Sequence, residues 1–198
     1  MYQVIGSAKT RTLRVLWMLE ELGQSYEHLP APPRDDTVRA MNPAGKIPVL
    51  VSDGVPITDS TAIIQYLADK HQALTHPAGS IERARQDSLT QFLLDEFDAI
   101  LWTASRHSFV LPEELRVSAI KPTLKWEFEK SQVVLMDRMS NGPFIMGEKM
   151  TVPDILLAHC CGWAINARFE IKHAKLRNYL DQMRARPAYQ RALAHGED

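Results

Sequence analysis

Cysteine is scarce in this sequence of 198 residues: there are only two, and they are neighbours, Cys160 and Cys161. Two adjacent thiols cannot form a disulfide framework, so the composition is typical of a reducing, cytoplasmic setting. No cysteine occurs among residues 1–132, which excludes disulfide exchange through a protein thiol from that part of the chain. Because Cys160 and Cys161 fall in an apolar helical pattern, we expect them to be buried and unreactive.

Charge bias and long apolar runs are also missing. Lys and Arg number 23 and Asp and Glu number 24, a net charge of −1 that indicates no nucleic-acid or anionic-membrane partner. No run is apolar enough to span a bilayer, and residues 2–5 resemble a strand rather than a signal peptide. The seven histidines show no metal-ligand spacing, so we expect no metal. With 45% hydrophobic residues, the composition is that of a soluble globular protein.

The first part of the chain has the pattern of an α/β fold. Strands are predicted over 2–5 and 25–29 with an apolar helix between them, which forms a βαβ unit with parallel strands. The Asp53–Gly54 pair between two short apolar runs predicts a hairpin, and Pro56 marks its second strand as an edge. A helix follows from Asp59. This order predicts a small α/β sandwich of about eighty residues.

The rest of the chain shows only helical patterns. Helices are predicted over about 80–105 and 114–139, the second kinked at Pro122, and the Thr151–Asp154 capping signature predicts a buried helix over about 155–167. We therefore expect an all-α domain over 81–198, joined by a linker over 75–80 to an α/β domain over 1–74.

Two segments of the α/β domain are suited to binding an extended, zwitterionic ligand. If the bond before Pro48 is cis, Ile47 can offer its N–H and C=O to such a ligand, although only about 5–6% of X-Pro bonds are cis. The helix that starts at Asp59 and Ser60 has free N–H groups for a carboxylate, and Asp59 could hold an ammonium. The alternative is that Asp59 or Ser60 is simply an N-cap.

Three motifs, in this order and spacing, resemble the cytosolic glutathione S-transferases: Arg14–Gly23 (RVLWMLEELG), Asn42–Leu50 (NPAGKIPVL) and Asp59–Ile63 (DSTAI). The resemblance implies a thioredoxin-like N-terminal domain followed by an all-α C-terminal domain, and a two-fold homodimer. It also implies that glutathione is the co-substrate and that its thiolate is conjugated to small hydrophobic electrophiles.

The resemblance also implies roles for individual residues. Pro48 would be cis, and Ile47 would pair through its backbone with the cysteinyl part of glutathione. Asp59 and Ser60 would hold the γ-glutamyl amino and carboxylate groups, and Lys46 stands where the family often has a residue that reaches the tripeptide.

The family activates the sulfur with a Tyr, Ser or Cys after the first strand, and this sequence departs from that pattern. The counted position falls on Lys9, Thr10 or Arg11. We assign the role to Thr10 first and to the nearby Ser7 second, with helix capping as the alternative for Thr10. Arg11 would add positive potential, whereas Arg14 is expected on a solvated helix face.

The second substrate is expected between the loop at Ser7 and the first helices of the all-α domain. Its candidate lining residues, each of which could instead be core, are Phe97, Leu101, Trp102, His107 and Trp163. The family further suggests that Asp95 reaches a neighbouring subunit's glutathione, although such an acidic cluster is usually just a helix face.

Two other readings stay open at this stage. One is a transferase-like module that binds glutathione or a protein partner without turnover, which the missing Tyr, Ser or Cys favours. The other is a glutathione-dependent isomerase or peroxidase, although the serine- and cysteine-rich loop of the isomerases is absent.

Overall fold

The computed structural model describes residues 1–196, which form two compact units. One contains residues 1–78 together with residues 183–196, and the other contains residues 79–182. The boundaries expected from the sequence differ from this division mainly at the C-terminus, because the last helix packs in the first unit rather than in the helical one. Within the described residues, no helix is both long and apolar enough to cross a bilayer.

The first unit contains a four-stranded mixed sheet. Its strands are β1 (Tyr2–Ile5), β2 (Tyr26–Leu29), β3 (Val49–Ser52) and β4 (Val55–Thr58), in the spatial order β2-β1-β3-β4. β1 pairs with β2 in parallel and with β3 antiparallel, and β3 pairs antiparallel with β4. The predicted βαβ–ββα arrangement, a thioredoxin-like domain, is confirmed.

The hairpin between β3 and β4 is formed by the two residues that the sequence indicated. Asp53 has φ 53° and Gly54 has φ 78°, the left-handed pair that a two-residue turn between twisted strands requires. β4 is an edge strand, so the missing N–H of Pro56 leaves no gap inside the sheet.

Four helices complete the first unit as far as it is described: α1 (Thr12–Glu21), α2 (Asp36–Met41), α3 (Ser60–His71) and α9 (Pro187–Ala194). α1 is buried from Thr12 to Leu19, because α3 and α9 both pack against it. Glu21 accepts two hydrogen bonds from the Arg186 guanidinium at 2.6 and 2.7 Å, and the ring of Trp17 meets Tyr189 edge-on at 4.9 Å.

Arg14 corrects one expectation. It is only 1% exposed rather than solvated, and its Nη1 donates to Ser60 Oγ at 3.3 Å. Arg14 therefore links α1 to the start of α3.

The second unit is helical. Its elements are α4 (Ile81–Leu93), a π-helical segment (Leu94–Asp98), α5 (Ala99–Ser105), a second π-helical segment (Arg106–Val110), two 3-10 turns (Glu113–Leu115 and Ser118–Ile120), α6 (Lys121–Arg138), α7 (Val152–Asn166) and α8 (Ala174–Arg184), which ends in the first unit. Ser80 caps α4 as expected, its side chain accepting from Arg83 N–H at 3.1 Å.

Two helix boundaries differ from the expected ones. The first long helical run continues to Val110 rather than ending near Ser105. The predicted kink at Pro122 is wrong, because α6 begins at Lys121 and places this proline in its first turn, where the missing N–H costs no helical hydrogen bond.

α7 is the buried centre of the second unit, as predicted. Its capping box is present, and Asp154 is 0% exposed. The Asp154 carboxylate accepts from Ile145 N–H (2.8 Å), Thr151 N–H (2.7 Å) and Tyr179 O–H (2.8 Å). Burial raises the pKa of Asp154, and these hydrogen bonds oppose that rise. Cys160 and Cys161 are buried, as expected, and neither forms a disulfide within residues 1–196.

Candidate functional site

Gly6 marks the point where the loop after β1, the start of α1 and the Ile47 segment meet. Its φ is +141°, and a Cβ placed there would lie 2.5 Å from Thr12 Oγ1 and 2.9 Å from Ile47 Cβ. A side chain at this position would clash with both neighbours, so only glycine permits the close approach. The predicted thiol-activating loop and the predicted backbone-binding residue are thus adjacent.

The Thr10 side chain forms hydrogen bonds within this loop. Its Oγ1 donates to the carbonyl of Ser7 at 2.7 Å and accepts from Thr12 N–H at 3.2 Å, with Thr12 Oγ1 3.1 Å away. The single hydroxyl proton of Thr10 is therefore committed to a backbone carbonyl. The N-cap of α1 is Arg11 rather than Thr10, although the Thr10 oxygen does accept from the first N–H of the helix.

Ser7 is differently placed. It is partly exposed, and its Oγ accepts from Lys9 N–H at 3.3 Å. Its own hydroxyl proton has no acceptor among residues 1–196. Of the two predicted activating hydroxyls, Ser7 has the proton that is free to be donated to a ligand.

Ile47 presents unpaired main chain. The Ile47–Pro48 bond is cis, as the resemblance implied. Pro48 is buried, whereas Ile47 is partly exposed, and neither its N–H nor its C=O forms a hydrogen bond with any residue in the described part of the chain. Since buried or half-buried backbone groups are nearly always paired, these two are available to an extended ligand. Lys46 beside it is exposed, and its carbonyl accepts from Asn42 Nδ2 at 2.8 Å.

Asp59 is the N-cap of α3 and still has one oxygen to spare. Its Oδ1 accepts from Thr61 N–H (2.9 Å) and Ala62 N–H (3.3 Å). Its Oδ2 has no partner within residues 1–196, and the residue is exposed. Its φ of 69° is unusual for a residue other than glycine, and such strain of about 1–3 kcal/mol is concentrated at functional sites. Both sequence readings, a cap and a site for an ammonium, are compatible with this geometry.

Residues 7–76 match the family model for the N-terminal domain of glutathione S-transferases. The Escherichia coli O157:H7 protein "Glutathione S-transferase GstA" is 28% identical over 163 residues, which cover 80% of this chain and 78% of that protein. The chain is therefore similar to glutathione S-transferases, in its N-terminal domain by the family model and over most of its length by this relative.

Solved glutathione S-transferases share its fold over nearly the whole chain. A glutathione transferase from Methylococcus capsulatus is 26% identical, with a TM-score of 0.84 and 99% of each chain covered. A glutathione transferase homolog from Lodderomyces elongisporus, solved with two glutathione molecules per subunit, has a TM-score of 0.85 at 21% identity and covers 98% of this chain and 97% of its own.

The first unit also has a cavity beside Ser7 that the sequence did not predict. It measures about 260 Å³ and is lined by Ser7, Ala8, Lys9, His28, Pro30, His195 and Gly196. His28 comes from β2 and His195 from the end of α9, so no sequence spacing could have brought them together. His28 Nε2 lies 2.8 Å from the Gly6 carbonyl, which can only accept, so this nitrogen is the donor.

The predicted second-substrate residues lie in the helical unit and differ in exposure. Phe97 and Leu101 are 0% exposed and belong to the core of that unit. Trp102, His107 and Trp163 are partly exposed, and His107 Nδ1 accepts from Val117 N–H at 3.1 Å.

Asp95 lies outside this group. It is exposed and lines a separate cavity of about 570 Å³ with Ser88, Gln91, Phe92, Leu94 and Glu96. Its reach into a neighbouring subunit stays a prediction. Within residues 1–196, no three His, Cys, Asp or Glu side chains are grouped so that they could hold a metal ion.

Proposed function

We propose that this glutathione transferase binds glutathione across the edge of its sheet and conjugates the tripeptide's thiolate to small hydrophobic electrophiles. The observation that supports this is the unpaired main chain of Ile47, in a segment that touches the Ser7 loop at Gly6. Arg14, in the helix α1 that follows the Ser7 loop, donates a hydrogen bond to Ser60. Ser60 directly follows Asp59, whose second carboxylate oxygen has no partner within residues 1–196.

Each part of glutathione has a chemically matched group. The ammonium of the γ-glutamyl end pairs with Asp59 Oδ2, and its carboxylate takes the hydroxyl and the N–H of Ser60, the first residue of α3. The cysteinyl backbone pairs with the N–H and C=O of Ile47, held beside the buried Pro48. Lys46 and Arg11 supply positive charge for the carboxylates of the tripeptide.

The reaction requires a thiolate. A free thiol has a pKa of about 8.5, and lowering it by about two units requires roughly 2.7 kcal/mol. A hydrogen bond to the thiolate supplies roughly 1.5–3 kcal/mol and a helix N-terminus roughly 0.3–1 kcal/mol. The Ser7 hydroxyl together with the start of α1 is therefore sufficient. The sulfur then forms a bond to the electrophilic carbon, the leaving group departs with the electron pair, and the thiol proton passes to solvent.

A second candidate function is glutathione binding without turnover. The observation that favours it is the hydrogen bond that Thr10 donates to a main-chain carbonyl, which leaves its proton unavailable to a thiolate. The sequence agrees, because the counted activating position carries no Tyr, Ser or Cys. Peroxide reduction or isomerisation with glutathione would use the same bound thiolate.

Two assays on the full chain distinguish these functions. We expect retention on immobilised glutathione and release by free glutathione, and saturable turnover of 1-chloro-2,4-dinitrobenzene above the uncatalysed rate. Retention without turnover of this or any other electrophile would support the binding module, and absence of both would contradict the proposed function. We also propose a cytoplasmic homodimer, for which light scattering should give twice the mass of one chain.

A further inference from the structure

We infer that the cavity beside Ser7 receives an anionic group of the second substrate, so that the enzyme prefers electrophiles that carry a carboxylate over neutral ones of the same shape. This inference rests on the proposed function, because it places the second substrate next to the hydroxyl that holds the glutathione thiolate.

Among the residues that the structure describes, the lining of the cavity includes a positively charged side chain and no negatively charged one. Its residues are one lysine, two histidines, one serine and three small or apolar residues, and no carboxylate side chain is among those that the structure describes. Lys9 is exposed, and its ammonium forms no ion pair with an acid in residues 1–196. The cavity also has no Phe, Trp, Leu or Ile in its lining, so a purely apolar substrate would gain little contact there.

Among the described residues, Glu20 lies near this wall through Tyr26 and is already paired. Glu20 accepts from the Tyr26 hydroxyl at 2.8 Å and pairs with the Arg191 guanidinium. Because the only proton of Tyr26 goes to Glu20, the contact of 2.9 Å between Tyr26 OH and His195 Nε2 requires that the imidazole donates. His195 is thereby fixed as a wall of the cavity, its ring 5.1 Å from that of His28.

The positive charge of the cavity comes from Lys9 rather than from His28. Burial lowers the pKa of His28, and the nearby His195 lowers it further against the opposing effect of the Gly6 carbonyl. His28 is therefore held neutral, donating to that carbonyl, near neutral pH. An anion would meet the Lys9 ammonium, while the single proton of Ser7 is donated to the glutathione thiolate.

The size of the cavity limits what enters. Its volume of about 260 Å³ is slightly below the range of about 300–1,000 Å³ of pockets that hold drug-sized molecules. A single substituted ring or a short acid is the size class that fits. Aromatic or aliphatic acids with an activated halide or double bond combine that size with the required charge.

The test uses two conjugates that differ in one charge: the glutathione adducts of 4-chloro-3,5-dinitrobenzoate and of its methyl ester. Their dissociation constants are measured by titration calorimetry on wild-type protein, on Lys9→Gln and on Lys149→Gln. Lys149 is also exposed and without an ion-pair partner in residues 1–196 but does not line the cavity, so it controls for the loss of one charge. Conjugation rates of the two halides are measured in parallel, with the uncatalysed rates subtracted.

We expect the wild type to bind the acid conjugate more tightly than the ester. A charge pair at about 4 Å in water changes affinity by about fivefold, so Lys9→Gln should weaken the acid by about that factor and leave the ester unchanged. The preference should shrink at high salt, and Lys149→Gln should behave as wild type.

Equal affinity of the wild type for both conjugates, or equal weakening of both by Lys9→Gln, would overturn the inference. If the ester is turned over without any preference for the acid, the inference fails and the proposed function stands. If both conjugates bind with the expected preference but neither halide is turned over, the cavity is an anion site and the transferase reaction is contradicted. If neither conjugate binds, both fail.

Discussion

The two roles open to Asp59 can be separated by one substitution, Asp59→Asn. Its Oδ1 caps α3 through two N–H groups, while its exposed Oδ2 is unpaired within residues 1–196. Asparagine keeps a capping oxygen, is as good an N-cap as aspartate, and is among the residues that best tolerate the φ of 69°. The substitution therefore removes the charge and preserves the cap, so we expect unfolding to change by less than about 0.5 kcal/mol.

The binding of glutathione should respond strongly to the same change. A hydrogen bond between charged partners contributes about 1.5–3 kcal/mol, which corresponds to an affinity about 10- to 150-fold weaker. Asp59→Gly adds a second comparison, because glycine adopts the left-handed backbone without strain and replaces an N-cap at a cost of only a few tenths of a kcal/mol. We expect this variant to be folded and equally impaired in binding.

Titration calorimetry with glutathione and with a glutaryl-Cys-Gly analogue, which lacks the ammonium, completes the test. Wild-type protein should bind the analogue about as weakly as Asp59→Asn binds glutathione, and Asp59→Asn should bind the two peptides alike. If Asp59→Asn keeps wild-type affinity for glutathione, or loses the same factor for the analogue, then Asp59 is only an N-cap and the proposed position of the γ-glutamyl end is wrong.

Two further substitutions test other parts of the structure. Ser7→Ala should raise the pKa of the bound thiol by about one to two units and slow conjugation at pH 6.5 by about 10- to 100-fold. Thr10→Ala should instead lower the melting temperature and leave the pH–rate profile unshifted. The opposite pattern would return the activating role to Thr10. Arg186→Ala should destabilise the protein by about 1.5–3 kcal/mol in denaturant unfolding, because it leaves Glu21, whose side chain is 8% exposed, without its bidentate partner. Lys172→Ala, which breaks an ion pair with Glu129 whose side chains are 43% and 46% exposed, should cost less than about 1 kcal/mol, and similar losses in the two variants would contradict that reasoning.

The features that could be predicted from the sequence are those decided by neighbouring residues. The turn at Asp53–Gly54, the cap at Ser80 and the capping box at Thr151 depend on backbone geometry and side chains within about four residues. The order of elements then limits the sheet to few topologies, because a βαβ unit must have parallel strands. The resemblance added the cis bond before Pro48, which spacing alone left open.

The features that were missed depend on groups far apart in the chain. Arg14 was expected in solvent because arginine is rarely buried, and its hydrogen bond to Ser60 of α3 joins residues 46 positions apart. The cavity needs His195, which lies 167 positions after His28. The helix before His195, α9, is attached to α1 by the ion pair between Arg186 and Glu21, and no local sequence pattern encodes that pair. The two π-helical segments, Leu94–Asp98 and Arg106–Val110, were also missed.

The same distinction explains why glutathione binding is easier to infer than thiol activation. Most of the proposed contacts to the tripeptide come from main chain and from a helix start: the N–H and C=O of Ile47 and the first turn of α3. Such groups depend on backbone conformation, which Gly6, Pro48 and the cap at Asp59 control, so a motif that preserves the conformation preserves the site. Activation of the sulfur instead needs one side-chain proton that is not already donated elsewhere. That property is invisible in a sequence where Ser7 and Thr10 are both hydroxyls, and it appears only when the acceptor of each proton is known: the Ser7 carbonyl for Thr10, and none within residues 1–196 for Ser7.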